Sequence, residues 1–332
     1  MVIISDCVKD KLDEGCIKVA SVLTRHLVER GSKLLAVNCA CSYADLCVTA
    51  NKFYSNKEIY TYISKQEGDI LYIPFASNTL GSAIRTWVLA HKSGRKVNVL
   101  FALRWEMSKL TKFILRLSGC NVCTISQESY GAFYKELKGL EVKNIKVGVD
   151  TTRFCPVDND RKLELRKKYN LPLDKKIILH VGHLKHERNI DVFLKLDDCY
   201  HGVLVFSSVT EQDEELKQAL LAKPNITVIN DYCKHIEEIY QASDIYLFPV
   251  VKEFNCIDVP LSVLEAAACN INVITTKYKE IGYFDAKPGL NLVDGTQLDD
   301  LNHVISEVDG ISEIQTREIA LSYDWNNAAD VI

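Results

Sequence analysis

Hydrophobic positions in the first half of the chain alternate between short aliphatic runs and longer stretches with apolar residues at helical spacing. Between the first two runs, helical spacing continues up to Gly31, a residue type that commonly follows a helix C-terminus. Such alternation is typical of βαβ units, so residues 1–150 are predicted to form a doubly wound, Rossmann-like α/β domain. The runs predict strands at Val2–Ser5, Leu34–Val37, Asp69–Ile73, Val97–Ala102, Asn121–Ser126 and Ile145–Val149.

The second half, residues 151–332, repeats this rhythm and predicts a second Rossmann-like domain with a C-terminal helix that could return to the first. Residues from Asp150 to Leu173 contain two prolines and the charged stretch Asp158–Lys168, and we expect a linker there with one helix. Ligands bind beyond the carboxyl ends of parallel strands, so a site is expected in a cleft between the domains. Strands are predicted at Lys176–Val181, Gly202–Phe206, Ile226–Asn230, Ile245–Phe248, Asn272–Thr275 and Asn291–Val293, and helices at Glu214–Leu221, Ile236–Gln241, Val259–Ala268 and Leu298–Val308.

Composition supports a folded protein with two cores. The chain has 332 residues, of which 47% are hydrophobic and 25% are charged, which excludes disordered, collagen-like and fibrous classes. The longest apolar stretches are far shorter than the roughly 20 residues of a membrane-spanning helix. Lys9 and Lys11 interrupt any signal-peptide core, and the 12 cysteines are scattered rather than spaced as a disulfide framework. We therefore expect a cytoplasmic protein.

Charge is distributed unevenly along the chain. Residues 1–150 carry 21 basic and 14 acidic side chains, a net charge of +7, whereas residues 151–332 carry 19 and 30, a net charge of −11. The segment Lys92–Arg116 interleaves basic and apolar residues as an amphipathic helix would. Such a helix attracts an anionic membrane surface or nucleic acid, and a solvated outer helix is the alternative. Nucleic acid is the weaker candidate partner because no stacking platform or reader motif accompanies the basic residues.

An anion site is indicated where the strand near residue 181 ends in Gly182 and opens into a cationic loop. A glycine lets a phosphate approach the backbone, while Lys185 and Arg188 supply charge and His183 supplies a donor. A solvated turn is the simpler alternative. The spacing of His180, His183 and His186, like that of Cys120 and Cys123, also allows a metal reading, but no further ligand completes either motif, so no metal is expected.

A second helix N-terminus is predicted after the strand that ends at Phe248. Pro260 stands where a helix would begin, and the free N–H groups of the first turn at Leu261 and Ser262 favour phosphate. Glu265 interrupts an otherwise apolar helix face, so its carboxylate must be paired or must reach a ligand hydroxyl. A helix-surface glutamate is the alternative.

Several segments in this order resemble family-4 glycosyltransferases of the GT-B fold, the glycosyl transferases group 1. The resemblance covers residue 148 to the C-terminus, whereas the first half matches only in its strand and helix rhythm. It rests on Gly148–Pro156, the Val181–Gly182 loop with Arg188, Ala242–Pro249, Pro260–Ala266 and Tyr323–Trp325.

This resemblance implies a nucleotide-sugar site in the second domain. The family's diphosphate-binding Arg and Lys would fall on His183 and Arg188, its glycine on Gly182, and its ribose-binding glutamate on Glu265. The family's first glutamate would fall on Ile257, leaving Asp258 or Glu253 as substitutes, of which Asp258 is preferred. The family's active-site histidine has no counterpart in residues 98–104.

The expected protein is thus a retaining glycosyltransferase that moves a hexose from a nucleotide-diphosphate sugar to a hydroxyl of a glycan or lipid-linked acceptor. Asp258, Arg188 and His183 are the expected catalytic residues, and no cofactor or metal is expected because cationic groups would stabilise the leaving diphosphate. The donor contacts are expected from Gly182, His183, Arg188, Asp258, Leu261, Ser262 and Glu265. A non-catalytic GT-B partner of an active transferase and a nucleotide-sugar epimerase remain alternatives.

Overall fold

A computed structural model describes residues 1–12, 14–102, 106–206, 212–252, 256–311 and 313–325. These residues group into two units. The first unit contains Met1–Val147 together with Ile257–Val259 and Trp325, and the second contains Gly148–Cys256 and Pro260–Asp324. The prediction of a returning C-terminal helix falls on residues 326–332, which lie outside the described residues.

The first unit is built on a parallel sheet of seven strands in the order β3-β2-β1-β4-β5-β6-β7. Four of these strands are buried at every position, as expected where helices cover both faces of a parallel sheet. The strands are β1 (Val2–Ser5), β2 (Lys33–Val37), β3 (Leu46–Val48), β4 (Ile70–Ile73), β5 (Val97–Phe101), β6 (Asn121–Thr124) and β7 (Val142–Asn144).

Five helices of the first unit begin at polar residues whose side chains accept a first-turn N–H, so each start is encoded locally. The first ends just before Gly31, whose φ of 93° suits glycine, which confirms the predicted helix end. The helices are α1 (Gly15–Glu29), α2 (Lys57–Ser64), α3 (Leu80–Ser93), α4 (Lys109–Ser118) and α5 (Gln127–Glu136).

The second unit has a parallel sheet of six strands in the order β10-β9-β8-β11-β12-β13. All six strands were predicted to within two residues at each end. They are β8 (Lys176–Gly182), β9 (Tyr200–Phe206), β10 (Ile226–Ile229), β11 (Ile245–Phe248), β12 (Asn272–Thr276) and β13 (Leu290–Val293). The helices are α6 (Asn159–Lys168), α7 (Glu214–Leu221), α8 (Ile236–Ala242), α9 (Leu261–Ala268), α10 (Leu301–Asp309) and α11 (Thr316–Leu321), with 3-10 helices at His186–Arg188, Ile190–Lys195, Lys279–Tyr283 and Gln297–Asp300.

Three sequence predictions in the first half were wrong. The segment Lys92–Arg116 is not one amphipathic helix, because it contains the end of α3, all of β5 and most of α4. The apolar run Ile145–Val149 is buried at every position except Lys146 but is not a strand, because β6 pairs with Val142–Asn144 and Val149 instead forms an isolated bridge with Asp324. Strand β3 was missed because it is three residues long and exposes Cys47. No helix among the described residues is long and apolar enough to cross a membrane.

The segments that carry the family resemblance at residues 148–156 and 323–325 pack against each other. Val149 N–H donates to Tyr323 O at 2.8 Å, and Thr151 Oγ1 donates to Asp324 Oδ2 at 2.6 Å. A Cβ at Gly148 would lie 1.5 Å from Tyr323 O, so only glycine fits there. These motif residues are therefore accounted for by packing.

Gly148→Ala is expected to destabilise the protein by about 3 kcal/mol, because the added methyl group collides with backbone rather than with a movable side chain. Urea unfolding followed by circular dichroism measures the change. Gly131→Ala in α5 is the matched control, because its Cβ would meet nothing within 4 Å. This control should be neutral or stabilising by up to about 1 kcal/mol. Equal stability of the two variants would contradict the account.

Candidate functional site in the second unit

The residues predicted to bind the nucleotide-sugar donor follow two adjacent strands, β8 and β11. The order of the strands reverses between these two. Strand β8 pairs with β9 on one side and with β11 on the other, and the chain reaches these neighbours in opposite directions. Parallel sheets leave a crevice for ligands at the carboxyl ends of strands at such a switch point. Gly182 ends β8 and Phe248 ends β11, so the segments after them start at this edge.

Two side chains occupy the space that a Cβ at residue 182 would need, so this position favours glycine. A Cβ there would lie 2.8 Å from His180 Nε2 and 3.1 Å from Arg188 Nη1. The glycine thus brings an imidazole and a guanidinium to the same backbone position. Sequence reasoning assigned this glycine to phosphate approach and did not detect the crowding, which depends on Arg188 folding back from the next turn.

Arg188 is a buried cation that has no acidic partner among the described residues. It ends the 3-10 helix His186–Arg188 and is 8% exposed, yet no carboxylate oxygen of the described residues lies within 4.0 Å of its guanidinium. Lys185, which is half-buried in the same loop, likewise has no acidic partner among these residues. Burying an unpaired charge is costly, so this arrangement suits a loop that binds an anion.

His183, the residue at the family's arginine position, is neutral at physiological pH. Burial, together with the nearby positive charges of Arg188 and Lys185, lowers its pKa to about 3. The surroundings of His183 therefore disfavour its protonated form. His183 can donate a hydrogen bond to an anion, but the positive charge of this loop comes from Arg188 and Lys185.

His180 was considered in the sequence only as a metal ligand, but it lies inside the sheet at 0% exposure. Its Nδ1 lies 3.0 Å from Leu247 O on β11, and since a carbonyl only accepts, Nδ1 carries the proton. Burial lowers the pKa of His180 to about 4. The Nε2 atom is therefore an unprotonated acceptor, and it has no hydrogen-bond partner among the described residues.

The helix N-terminus predicted at Pro260 is present one residue later than expected. Pro260 is extended with ψ of 98°, and α9 starts at Leu261 without a side-chain cap. Leu261 is buried, and Ser262 is half-buried with its side chain hydrogen-bonded to the Tyr246 hydroxyl. The first-turn N–H groups of α9 thus follow β11, the neighbour of β8.

Glu265 is buried in α9 at 3% exposure, so the alternative of a surface glutamate is wrong. The Tyr240 hydroxyl of α8 donates to Glu265 Oε2 at 3.0 Å. Burial and this carboxylate raise the pKa of Tyr240 well above its usual value, which keeps the hydroxyl a donor. The Tyr240 ring packs on Tyr246 with centroids 5.6 Å apart, and Tyr246 stacks on His180 at 6.4 Å. Aromatic contacts therefore connect Glu265 with the loop after β8.

Asp258 belongs to the first unit although it lies between β11 and α9 in sequence. It is 2% exposed, and its Oδ2 accepts hydrogen bonds from Ser129 Oγ and, at 2.9 Å, from Ser126 Oγ, the N-cap residue of α5. Its predicted contact with sugar hydroxyls stays a prediction. The other substitute, Glu253, lies outside the described residues.

The three histidines do not share a ligand. His180 is buried, whereas His186 is exposed with Nε2 3.4 Å from Asp213 and Nδ1 3.9 Å from Asp191. In the described parts of the chain, no group of three or more His, Cys, Asp or Glu side chains could hold a metal ion. Cys120 and Cys123 are buried free thiols on or beside β6.

Sequence reasoning missed a polar cluster at the equivalent switch point of the first unit, between β1 and β4. Asp6 accepts hydrogen bonds from Phe75 N–H at 2.7 Å and from the Tyr54 hydroxyl at 3.0 Å, and it lies 3.5 Å from Arg85 Nη2. Arg85 Nε also donates to the Tyr72 hydroxyl at 2.6 Å. An aspartate directly after the first strand was the available signal.

The two units each have a parallel sheet with a switch point of the kind that receives ligands. Two such α/β units are the architecture of the GT-B fold, a two-domain fold of glycosyltransferases. Structural similarity agrees with this fold. A glycosyltransferase from Rickettsia africae aligns over 99% of this chain and 96% of its own with a TM-score of 0.78 and 16% identity. HepE from Anabaena, solved with UDP, aligns over 99% and 97% with a TM-score of 0.76 and 11% identity.

Sequence comparisons match part of the chain to glycosyltransferases. Residues 175–308 match the family model of glycosyl transferases group 1. TuaC of Bacillus subtilis, a protein named for a glycosyltransferase role in teichuronic acid biosynthesis, is 27% identical over 146 residues. That match covers 43% of this chain and 35% of TuaC.

The pKa of His180 predicts a pH dependence of stability. The unfolded chain binds a proton as the pH falls below the usual value near 6.5, whereas the folded chain does so only near 4. The free energy of unfolding therefore falls with decreasing pH, by about 1 kcal/mol between pH 7 and 5.5 for this group. Urea unfolding of the wild type and of His180→Phe at both values tests this. The variant should lose less stability than the wild type, and an equal loss would contradict the assignment.

Proposed function

We propose that the protein is a retaining glycosyltransferase that moves a hexose from a nucleoside-diphosphate sugar to an acceptor hydroxyl. The observation that carries the proposal is the buried guanidinium of Arg188 beside Gly182 at the β8/β11 switch point, which no carboxylate of the described residues pairs with. A guanidinium recognises a diphosphate through a fork of donors and keeps its charge at all working pH values. The match of residues 175–308 to the family model of glycosyl transferases group 1 supports a sugar-transfer reaction at this site.

The proposed chemistry needs charge stabilisation at the leaving diphosphate. Arg188 and Lys185 supply positive charge, neutral His183 supplies an N–H donor, and the first turn of α9 at Leu261 and Ser262 supplies backbone donors. These groups oppose the negative charge that develops as the sugar–phosphate bond breaks. We propose that they serve in place of a divalent metal.

Glu265 is proposed to bind the ribose hydroxyls of the donor. A carboxylate accepts hydrogen bonds from a diol, and the Tyr240 hydroxyl holds this one in place inside the unit. Asp258 is proposed to orient the sugar for attack from the face of the departing group. HepE, which shares the fold, was solved with UDP and with UDP-glucose, which supports a nucleotide sugar as the donor class.

The acceptor, a glycan or a lipid-linked saccharide, is proposed to bind the first unit. The cluster of Asp6, Tyr54 and Arg85 lies at the carboxyl edge of its sheet, where a doubly wound domain receives its ligand. Its carboxylate and hydroxyl groups are of the type that recognises saccharide hydroxyls.

An anionic membrane surface is the proposed docking partner of α4. Leu110, Phe113 and Leu117 follow helical spacing on one side of α4, and each is more than half exposed. A helix face that contacts only water would not expose three large apolar side chains along one side. Lys109 is exposed beside them, while Lys112 pairs with Glu136 at 2.7 Å. The apolar side chains would enter the headgroup region and the basic residues would favour anionic lipid.

A thermal-shift panel of UDP-, GDP- and ADP-sugars without added metal tests the donor site. One nucleotide class should stabilise the wild type, and Arg188→Ala should abolish the shift because the diphosphate loses its cation. Glu265→Gln, which preserves an acceptor for Tyr240, should weaken the shift because the carboxylate charge is lost.

The matched control for the panel is Arg153→Ala, which removes an arginine of the same unit that pairs with Glu237 at 2.6 Å on the surface. This variant should bind like the wild type. No shift with any donor would overturn the proposed function. Donor binding without transfer to any saccharide acceptor would favour a non-catalytic partner, and conversion of the donor sugar alone would favour an epimerase.

Sedimentation with vesicles tests the membrane surface. The wild type should bind vesicles of anionic lipid at low salt and not purely zwitterionic ones, because both apolar insertion and charge attraction are needed. The triple variant Leu110→Ser, Phe113→Ser, Leu117→Ser should lose binding. Leu221→Ser, which changes a half-exposed leucine of α7 in the second unit, is the control and should bind normally. Binding by the triple variant at the wild-type level would refute this surface.

A further inference from the structure

A buried acceptor on β8, beside Gly182, has no donor among the described residues. His180 Nε2 is unprotonated because Nδ1 carries the proton, and no described residue donates to it. Leaving such a group unsatisfied is destabilising. A sequence that keeps a histidine inside a sheet at this cost has a use for the acceptor in the functional state of the protein.

The crowding at Gly182 brings a donor, the guanidinium of Arg188, into the neighbourhood of this acceptor. His180 Nε2 and Arg188 Nη1 would lie 2.8 Å and 3.1 Å from the same added Cβ, so the two atoms approach the glycine from its side-chain direction. The positive charge of Arg188 also contributes to the low pKa of His180. The guanidinium has five N–H donors, of which a diphosphate would occupy some and leave others available.

A neutral partner for Arg188 has a physical advantage over an acidic one. A carboxylate would fix the guanidinium but would cancel the charge that a diphosphate needs, whereas an imidazole lone pair fixes it and leaves the charge intact. His180 remains neutral because it is fully buried, so it adds no competing positive charge at working pH.

We propose that His180 is a positioning residue for Arg188: its Nε2 accepts a hydrogen bond from the guanidinium when a diphosphate is bound, and thereby holds Arg188 toward the ligand. The inference rests on the proposed function, since it uses the diphosphate as the ligand of Arg188. His180 itself touches neither the sugar nor the nucleotide in this account. The aromatic contacts of His180 with Tyr246 keep its ring oriented.

A double-mutant cycle on nucleoside-diphosphate binding tests the proposal by calorimetry, with the diphosphate of the base found in the donor panel. His180→Phe keeps a ring against Tyr246 but removes the acceptor, and it should raise Kd about tenfold, the equivalent of one hydrogen bond. In an Arg188→Ala background the same change should raise Kd less than twofold, because His180 acts only through Arg188. His180→Gln, which offers an acceptor amide, should recover part of the affinity.

The matched control is His201→Phe, which replaces a buried histidine of neighbouring strand β9 that pairs with Thr227 Oγ1 at 2.9 Å. It should leave Kd unchanged. Equal effects of His180→Phe with and without Arg188 would overturn the inference, as would a wild-type Kd in His180→Phe. Failure of the wild type to bind any nucleoside diphosphate would instead overturn the proposed function.

Nitrogen NMR of histidine-labelled wild type keeps the proposal testable if His180→Phe does not fold. The Nε2 resonance of His180 should start as that of an unprotonated, unbonded nitrogen. It should move toward the hydrogen-bonded position when the nucleoside diphosphate is added. An Nε2 resonance unchanged at saturation would overturn the inference.

Discussion

The second unit depends on the burial of a positive charge that no carboxylate of the described residues compensates. Arg188 and His180 both approach Gly182, and no acid of the described residues pairs with Arg188, so its charge stays available to a ligand. Such a charge is tolerable only if the surrounding fold is rigid and if an anion completes the site in the working state. The strand edge, the neutral histidines and the aromatic contacts can all be understood as support for that arrangement.

Rigidity at the β8/β11 edge comes from polar anchors at the opposite ends of these strands. Asp244 before β11 accepts Ile177 N–H of β8 at 2.7 Å and pairs with Arg166 and Lys162 of α6 at 2.5 and 2.7 Å. Those contacts hold the pKa of Asp244 below its usual value despite its burial. The aspartate of the Ala242–Pro249 segment therefore fixes the strands at the ends opposite to the candidate site.

Local patterns in the sequence predicted most of the fold, because strands buried on both faces are continuous apolar runs and many helices begin at polar capping residues. The pattern failed at Ile145–Val149, where an apolar run is buried without a sheet partner. For the candidate site, the sequence pattern singled out Gly182, Arg188 and Glu265 by residue type and position. The sequence pattern could not predict the neutral state of His183, the pairing of Glu265 with Tyr240 or the approach of His180 and Arg188 to the same glycine. Each of these depends on residues that only folding brings together.

The central claim is that Arg188 and Glu265 belong to one nucleoside-diphosphate site at the β8/β11 edge. A crystal structure with the nucleoside diphosphate bound tests it most directly. The account predicts the diphosphate against the Arg188 guanidinium and the first turn of α9, with the ribose hydroxyls on the Glu265 carboxylate. A nucleotide bound elsewhere, or a diphosphate at this edge that does not touch Arg188, would contradict it.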